Sequence, residues 1–352
     1  MLSNIKLRHF RCFESLECDF ARGANVIYGP NAQGKTSLLE AACVLLRLQS
    51  QRVTTLARAI QHDRRGFVLD GHYAGRHLQF YFSRERKKLA LDSVEQKNAG
   101  DYLQAGRVVF FSNHDIEIVR GAADKRRKFL DFVAVQVDPV YRRQLRAYER
   151  ALRSRNLLLK GHHASHAKWR EIAAFNQPLA DAGTYLATAR GRLIASLELA
   201  GNEAQKLISD AAETLEMKYL RGFEGDFAGA LEATREEDLR LRQTNAGPHR
   251  DDVALLLNGR DREFASEGQQ RSLTLSLRLA QARLIEEHAG VAPLFLMDDI
   301  FGELDVPRRN ALLAQLPSHA QKLITTTHID WMQTGYAQQI LRLSDGALAA
   351  FQ

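Results

Sequence analysis

In the first ninety residues, apolar and polar positions alternate with a period of two, which is typical of β-strands. The predicted strands are residues 4–9, 15–20, 25–28, 67–73, 76–83 and 88–92. An apolar run with few helix breakers, residues 37–46, predicts a helix directly after the third strand. The last three strands are joined by short basic turns, so they predict an antiparallel meander, and a solvated sheet edge kept soluble by arginine and lysine is the alternative.

From about residue 115 the pattern changes to helical spacing, with helices predicted at residues 124–136, 138–160 and 178–217. Mixed structure returns near residue 245, with predicted strands at 253–257, 293–297 and 322–326 and a helix at 273–287. A chain of 352 residues exceeds what one hydrophobic core usually supports. We therefore predict a first domain of residues 1–115 and 245–352, interrupted by a helical insert of residues 116–244.

A glycine-rich loop between the third strand and its helix fits the pattern G-x-x-x-x-G-K-[ST] of a phosphate-binding loop. Its backbone N–H groups and the helix N-terminus favour phosphate oxygens, the lysine reaches the β- and γ-phosphates, and the threonine hydroxyl suits Mg²⁺. A glycine-rich turn that caps an ordinary helix is the alternative. The predicted nucleotide-binding residues of this loop are Gly29, Pro30, Asn31, Ala32, Gln33, Gly34, Lys35, Thr36 and Ser37.

Two later segments add to the predicted site. Ser266, Gly268 and Gln269 form a small-residue loop that opens a helix, which predicts a second anion site. An apolar strand ends in Asp298 and Asp299, where one carboxylate serves Mg²⁺ and its neighbour polarises the attacking water. We assign Asp298 and Thr36 to the metal and Asp299 to catalysis, and a second acid that only helps to hold Mg²⁺ is the alternative for Asp299.

Basic residues exceed acidic ones, 49 to 42, and this net charge of +7 favours an anionic partner. Residues 120–170 alone carry fourteen basic side chains and four acidic ones. Within this stretch a set of arginines recurs at helical spacing, opposite apolar positions. The set is Arg142, Arg146, Arg150 and Arg153. A DNA-phosphate surface and a solvated helix face both fit this pattern.

Cys12, Cys18 and Cys43 have no C-x-x-C spacing, so they predict neither a zinc site nor a disulfide framework and fit a reducing compartment. No stretch reaches the ~18 apolar residues that a membrane span needs. We therefore expect a cytoplasmic protein without a membrane partner.

The order of these motifs resembles the SMC branch of ABC-type ATPases, and finer features resemble the RecF family within that branch. The features are residues 10–13, 29–36, 125–131, 152–159, 247–252 and 265–272. The resemblance covers about residues 2–346. It implies an α/β fold: an ABC-type ATPase head, in which a mixed sheet with the phosphate loop is joined by an antiparallel β subdomain, with an inserted helical lobe.

The resemblance also implies a function in recombinational repair and replication restart. ATP and Mg²⁺ are the implied cofactors, and ATP closes a homodimer in which Lys35 and Thr36 of one subunit face the Ser266 loop of the other. The implied partners are double-stranded and gapped or junction DNA, and RecR and RecO. The dimer would clamp DNA, help to load recombinase and open after slow, weakly DNA-stimulated ATP hydrolysis.

Several positions depart from the pattern of the family. His328 resembles the switch histidine of ABC-type ATPases, which makes it a third catalytic candidate beside Asp299 and Lys35. Gly302 stands where serine is usual, and Asn113 and His114 stand where proline and glutamate are usual. Asp299 is shorter than the glutamate of many ABC proteins, which favours slow hydrolysis.

Other protein classes share some of these motifs. A nucleotide-binding subunit of a transporter has its two phosphate loops about a hundred residues apart, whereas 231 residues separate Lys35 from Ser266. A long-armed SMC protein needs coiled coils of hundreds of residues, whereas a helix over residues 138–160 is only ~34 Å long at ~1.5 Å per residue. Another SMC-like ABC ATPase of DNA maintenance or defence remains an alternative.

Overall fold

A computed structural model describes residues 1–161, 169–209, 211–333, 335–344 and 346–350. The strands are β1 (Leu2–Phe10), β2 (Phe13–Asp19), β3 (Ala24–Tyr28), β4 (Gly66–Tyr73), β5 (Arg76–Ser83), β6 (Lys87–Leu91), β7 (Val94–Glu95), β8 (Val108–Ser112), β9 (Leu215–Leu220), β10 (Asp252–Leu257), β11 (Arg260–Asp261), β12 (Leu294–Asp298), β13 (Lys322–Thr326), β14 (Gln339–Ser344) and β15 (Ala347–Ala350). The α-helices are α1 (Lys35–Arg47), α2 (Gly100–Ala105), α3 (Ile116–Arg120), α4 (Ala123–Val137), α5 (Tyr141–Lys160), α6 (Trp169–Ala173), α7 (Asn176–Ile208), α8 (Phe227–Ala233), α9 (Arg235–Leu241), α10 (Glu267–Ala289) and α11 (Val306–Gln315).

The chain divides into two compact units, one of Met1–Asp115 with Gln281–Gln352 and one of Ile116–Ala280. The first boundary coincides with the one expected from the change of hydrophobic period. Residues 245–280, which the sequence pattern assigned to the first domain, fall in the second unit because β10 pairs with β9 and contacts α4. The second unit therefore contains a small sheet as well as helices. Lys168, one of the basic residues counted above, lies outside the described residues.

The first unit contains an antiparallel sheet in the order β2-β1-β4-β5-β6-β7, which confirms the predicted meander. Its inner face is aromatic: the Phe67 ring lies 5.0 Å from Phe10 and 5.7 Å from Phe80 between ring centroids. Helix α1 contacts β1, β4 and β5. The helix of the phosphate loop is therefore held against a buried aromatic layer, which fixes the direction in which its N-terminus points.

The second sheet of this unit has the order β15-β14-β3-β13-β12-β8, and β14, β3, β13, β12 and β8 run parallel. The carboxyl ends of parallel strands meet at one edge of the sheet. Tyr28, Ser112, Asp298 and Thr326 end their strands at that edge, which is where ligands bind in open α/β sheets. The sequence pattern predicted β3, β12 and β13 but not β8, β14 or β15.

In the second unit, the predicted helix over residues 178–217 is wrong at its C-terminal end. Helix α7 stops at Ile208, Ala211 has a positive φ of 62°, and Leu215–Leu220 forms β9. In β9, the alternating side chains of Leu215 and Met217 are buried, and the strand pairs antiparallel with β10. The period of two in these six residues was hidden by the long helical pattern before it.

A buried arginine organises residues 247–252 of the second unit. The Arg190 guanidinium donates to the Pro248 carbonyl at 2.6 Å, to Asp251 Oδ2 at 2.8 Å and to Asp131 Oδ1 at 2.8 Å. It also donates to the Tyr141 hydroxyl at 3.0 Å. These four bonds satisfy a side chain that is only 2% exposed. They tie the turn at Pro248 to α4, α5 and α7.

His249 in the same turn is neutral, because burial lowers its pKa to about 4. Its Nε2 lies 2.9 Å from the Thr244 carbonyl, which only accepts, so Nε2 carries the proton. The Nδ1 atom then accepts from the Tyr148 hydroxyl at 2.6 Å. The turn is therefore joined to helix α5, whose opposite side carries the arginine set predicted to bind DNA.

Arg155 on α5 is part of the fold and not of a basic surface. Its Nη1 lies 2.7 Å from Asp238 Oδ2, and neither side chain is exposed to solvent. Nη1 also donates to Thr244 Oγ1 at 2.8 Å, and Nε donates to Asn176 Oδ1 at 3.0 Å. The ion pair thus connects α5, α7 and α9.

We predict that Asp238→Ala lowers the free energy of unfolding by roughly 3–5 kcal/mol, because it leaves the Arg155 guanidinium buried without its counter-ion. Urea denaturation measures this change. Arg153→Gln on the exposed face of the same helix is the matched control, with an expected change within about 0.5 kcal/mol. An Asp238→Ala variant that unfolds at the parental urea concentration would contradict the structural importance of the pair.

Candidate nucleotide-binding site

The phosphate loop connects β3 to α1 in the order that the sequence predicted. Gly34 has a φ of 99°, and a Cβ added there would lie 2.6 Å from Phe13 Cζ and 2.7 Å from Cys12 Sγ. A Cβ on Gly29 would lie 2.2 Å from the Leu343 carbonyl oxygen. Both positions therefore require glycine. Gly34 has a left-handed backbone conformation and no room for a Cβ, and Gly29 lies too close to β14 to carry one.

Lys35 bends back over its own loop. Its Nζ donates to the carbonyl of Gly29 at 2.6 Å and to that of Pro30 at 2.7 Å. Burial lowers the pKa of Lys35, while the charges of Asp299 and Asp298 oppose this shift. The ammonium group is therefore held in the loop by two neutral acceptors, which phosphate oxygens would replace as stronger, charged partners.

Thr36 and Asp298, which the sequence assigned to the metal, are hydrogen-bonded to each other. Thr36 Oγ1 donates to Asp298 Oδ1 at 2.8 Å, although 262 residues separate them in the chain. Thr325 Oγ1 donates to the same oxygen, also at 2.8 Å. A hydroxyl and a carboxylate beside a phosphate loop are the oxygen donors that Mg²⁺ prefers, so these residues fit the ion. Among the described residues, no group of three His, Cys, Asp or Glu side chains forms a separate metal cluster.

Asp299, the predicted base, has an uncommon environment. Its φ is 50°, its backbone N–H donates to Thr325 Oγ1 at 3.1 Å, and its Oδ1 is buried without a hydrogen-bond partner in the described structure. Burial raises the pKa of Asp299, against the opposing charge of Lys35. A strained carboxylate with an unused oxygen and a raised pKa is the kind of group that accepts a proton from water.

Two of the departures noted in the sequence belong together. A Cβ on Gly302 would lie 3.3 Å from Cε1 of His328 and 3.8 Å from Oδ1 of Asp299. Glycine at 302 therefore leaves room for the imidazole ring beside the aspartate. The His328 Nδ1 atom lies 3.1 Å from Thr327 Oγ1. No local sequence pattern indicates this pairing, because the two positions are twenty-six residues apart.

Asn113 follows β8, one of the strands that the sequence pattern did not predict. Its Nδ2 donates to Glu303 Oε1 at 2.7 Å. Because β8 and β12 are parallel neighbours, with Ser112 opposite Asp298, this bond joins the loops that follow the two strands. A proline at position 113, usual in the related pattern, has no side-chain donor for this contact.

The loop between β1 and β2 supplies a residue that the sequence analysis did not assign. Arg11 donates from Nη2 and Nε to the two carboxylate oxygens of Glu40, at 2.6 and 2.9 Å. Arg52 Nη1 donates to Glu40 at 3.1 Å. Glu40 is 1% exposed and lies one turn beyond Thr36 on α1. Phe10 and Phe13, at the ends of β1 and β2 beside this loop, are buried.

The second predicted anion loop lies in the second unit. The Ser266 N–H donates to Gln269 Oε1 at 2.8 Å, and the Gln269 N–H donates to Ser266 Oγ at 3.3 Å, which is a reciprocal helix cap. Because the Ser266 oxygen accepts, its proton remains free to bond an anion. Gly268 follows in the first turn of α10, whose N-terminus adds a partial positive charge.

The arginine set lies on α5, as predicted, but its members differ in exposure. Arg146, Arg150 and Arg153 are exposed, whereas Arg142 is partly buried. Burial, with a contribution from the charge of Arg146, lowers the pKa of Arg142 to about 10, so it is still charged at neutral pH. Three exposed cations and one half-buried cation therefore occupy this face.

Comparisons with known proteins agree with this geometry. The RecF/RecN/SMC N terminal domain matches residues 1–346. A DNA replication and repair protein RecF from Exiguobacterium sp. is 35% identical over 354 residues, or 96% of this chain and 95% of the relative. The RecF of Thermosynechococcus vestitus is 34% identical over 380 residues, or 99% and 97%. Among the described residues, none of the helices is long and apolar enough to cross a membrane.

Solved structures give the same result. The recombination mediator protein RecF with ATP, from the RecFOR pathway, superposes with a TM-score of 0.90 at 29% identity and covers 100% of this chain and 97% of its own. The same mediator with ATPrS gives 0.91 at 28%, with 100% and 98% covered. An SMC head bound to a domain of ScpA shares the fold alone, with a TM-score of 0.53 at 13% identity, and covers 99% and 96%.

The parallel sheet with its phosphate loop, the acids at the end of β12 and the antiparallel sheet define an ABC-type ATPase head, as the sequence predicted. Within that class, the chain belongs to the RecF family.

Proposed function

We propose that the protein is an ATP-dependent DNA-binding protein of recombinational repair and replication restart. In this proposal ATP closes two copies into a clamp on gapped or junction DNA, and slow, weakly DNA-stimulated hydrolysis releases it. The main observation that supports ATP binding in this proposal is the 2.8 Å hydrogen bond between Thr36 and Asp298 beside the phosphate loop. Family membership supports the DNA part and RecR and RecO as partners.

Each residue of the site has a proposed step. Gly29 to Ser37 would bind the phosphates of ATP, and Lys35 would exchange its two carbonyl partners for phosphate oxygens. Thr36 and Asp298 would hold Mg²⁺, which neutralises phosphate charge when bound. Asp299 would orient the attacking water and accept its proton, and His328, which faces it beside Gly302, would stabilise the charge that develops.

The Ser266 loop would complete the site of another copy. Two phosphate-binding loops that belong to different compact units of one chain, 231 residues apart in sequence, are explained most simply by a symmetric dimer. Each closed dimer would then contain two composite sites. In each of them, the free proton of Ser266 and the N-terminus of α10 would contact the γ-phosphate bound to the partner.

DNA would contact the arginine set on α5. These side chains are spaced along one helix face, and the opposite side of the helix is fixed by Tyr148 and Arg155. A rigid row of cations suits a phosphate backbone and reads no sequence. A transporter subunit, the alternative from another class, has no use for such a surface.

The first prediction of this proposal concerns hydrolysis. Lys35→Met should abolish ATP binding or its coupling to the dimer, whereas Asp299→Asn should keep ATP binding and trap the closed state. Because burial raises the pKa of Asp299, parental hydrolysis should fall on acidification at a higher pH than an exposed aspartate would give. Steady-state ATPase assays across pH measure both effects. An Asp299→Asn variant that hydrolyses ATP at the parental rate would exclude the role of base.

The second prediction concerns DNA. Replacing the four arginines of α5 with glutamine should weaken duplex binding irrespective of sequence and should flatten the log–log salt dependence by roughly 0.9 per lost contact. The fourfold Arg→Lys variant is the matched control, because it keeps the charge. Fluorescence anisotropy over a salt series measures the affinity and the slope. Equal affinities and slopes for the glutamine variant and the parent, with the fold intact, would show a solvated face instead.

The third prediction concerns assembly. Ser266→Arg should prevent ATP-dependent dimerisation but preserve ATP binding by the monomer, because the added bulk and charge fall in the contact with the partner. Ser266→Ala removes the hydroxyl, and with it the cap and the proposed phosphate contact, but adds no bulk or charge, so it separates these losses from the steric and electrostatic block. Sedimentation velocity with a non-hydrolysable ATP analogue measures the dimer.

Mixing Ser266→Arg with Lys35→Met subunits is a second test of the composite site. A mixed dimer contains one site with both defects and one site with neither, so it should recover up to about half of the activity if the sites act independently. Coupling between the two sites changes this recovery, so the recovered activity alone is not decisive. The decisive measurement is the sedimentation of Ser266→Arg. Normal ATP-dependent dimers of Ser266→Arg would rule out the composite site.

A further inference from the structure

Phe264 is the most exposed of the large apolar side chains in the described part of the chain, at 81% of its surface. It stands two residues before Ser266, at the end of a short 3₁₀ turn, Arg262–Phe264. A single exposed apolar residue needs no explanation on an ordinary surface. Here its place beside an anion-binding loop sets it apart from the other exposed apolar side chains, such as Leu199 on α7.

The turn that carries Phe264 is fixed at both ends. The Asp261 side chain accepts from the Glu263 N–H at 2.9 Å. Gln270 Nε2 donates to the Arg262 carbonyl at 3.2 Å and to the Ala265 carbonyl at 3.0 Å. The same glutamine accepts from Arg120 Nε. Because these bonds fix the backbone on both sides of Phe264, the ring is held in solvent and is preorganised for a partner.

We infer that Phe264 is an apolar anchor for a second copy of this chain in the ATP-bound dimer. The inference rests on the proposed function, in which Ser266 contacts a phosphate bound to the partner. Two residues of extended chain span at most about 7 Å, so a surface that brings a phosphate to Ser266 comes within reach of the Phe264 ring. The partner's nucleotide-binding unit is therefore the surface that covers the ring.

The size of the effect follows from symmetry. A two-fold dimer makes each contact twice, so both rings are buried when the dimer closes. Aromatic side chains at the centre of an interface are often the residues whose truncation costs most in affinity. We expect Phe264→Ala to weaken dimerisation about 10- to 100-fold.

Analytical ultracentrifugation with a non-hydrolysable ATP analogue tests this directly. Phe264→Ala should raise the dimer dissociation constant and leave the affinity of the monomer for ATP unchanged. Leu199→Ala, which removes an apolar side chain that is 72% exposed on α7, is the matched control and should dimerise like the parent. If the ring instead contacts DNA, Phe264→Ala loses DNA affinity while dimerisation is unaffected, and that result overturns the inference.

A fluorescent variant gives a readout that a folding defect does not imitate. In Phe264→Trp, the emission maximum should shift to shorter wavelength when the analogue is added, because the indole leaves water. The shift should be absent in the double variant with Ser266→Arg. Dimers of Phe264→Trp that form without a shift overturn the inference.

The experiments distinguish failure of the proposed ATP-dependent dimer from failure of the Phe264 anchor. If the parental protein remains monomeric with the analogue, the proposed ATP-dependent dimer itself is wrong. If the parent and Phe264→Ala dimerise equally well, the composite site stands and the anchor alone is wrong.

Discussion

The nucleotide site depends on one carboxylate oxygen. Asp298 Oδ1 accepts from Thr36 on α1 and from Thr325 on β13, at 2.8 Å in both cases. It thereby joins the helix of the phosphate loop to two strands of the parallel sheet. Parallel pairing of β3, β13, β12 and β8 brings the ends of these strands to one edge, and the hydrogen bonds of Asp298 fix α1 against that edge. The positions of Lys35 and Asp299 follow from this junction.

A second constraint is electrostatic. Glu40 is buried one turn beyond Thr36 and binds Arg11 and Arg52, so two guanidinium groups share one carboxylate. This arrangement satisfies the buried charge of Glu40, which would otherwise destabilise α1. It also fixes the loop between β1 and β2 next to Gly34, where Phe13 and Cys12 leave no room for a side chain. The requirement for glycine at position 34 is thus set partly by residues 12 and 13, which lie about twenty residues earlier.

The sequence predicted the parts of the fold and site that local patterns determine. The phosphate loop, the acids at the end of β12 and the loop at Ser266 have fixed spacings, and α1, α4 and α5 have clear periods. The missed features depend on contacts distant in sequence. Gly302 and His328 are explained only by each other, and Arg155 looked like part of a basic run although it pairs with Asp238, eighty-three residues away. Hydrophobic periodicity does not indicate contacts between residues that are this far apart in the sequence.

The second unit combines two surfaces for which we propose anionic ligands. The arginine set lies on α5, α5 packs along α7, and Gln205 of α7 accepts from Ser276 of α10, the helix that the Ser266 loop caps. The proposed DNA surface and the proposed second phosphate loop therefore belong to the same compact unit. If DNA binding favours the closed dimer, linkage requires the dimer to favour DNA by the same factor. Coupling of the two ligands then needs no hinge inside this unit, because the two surfaces are connected through α5, α7 and the N-terminal part of α10.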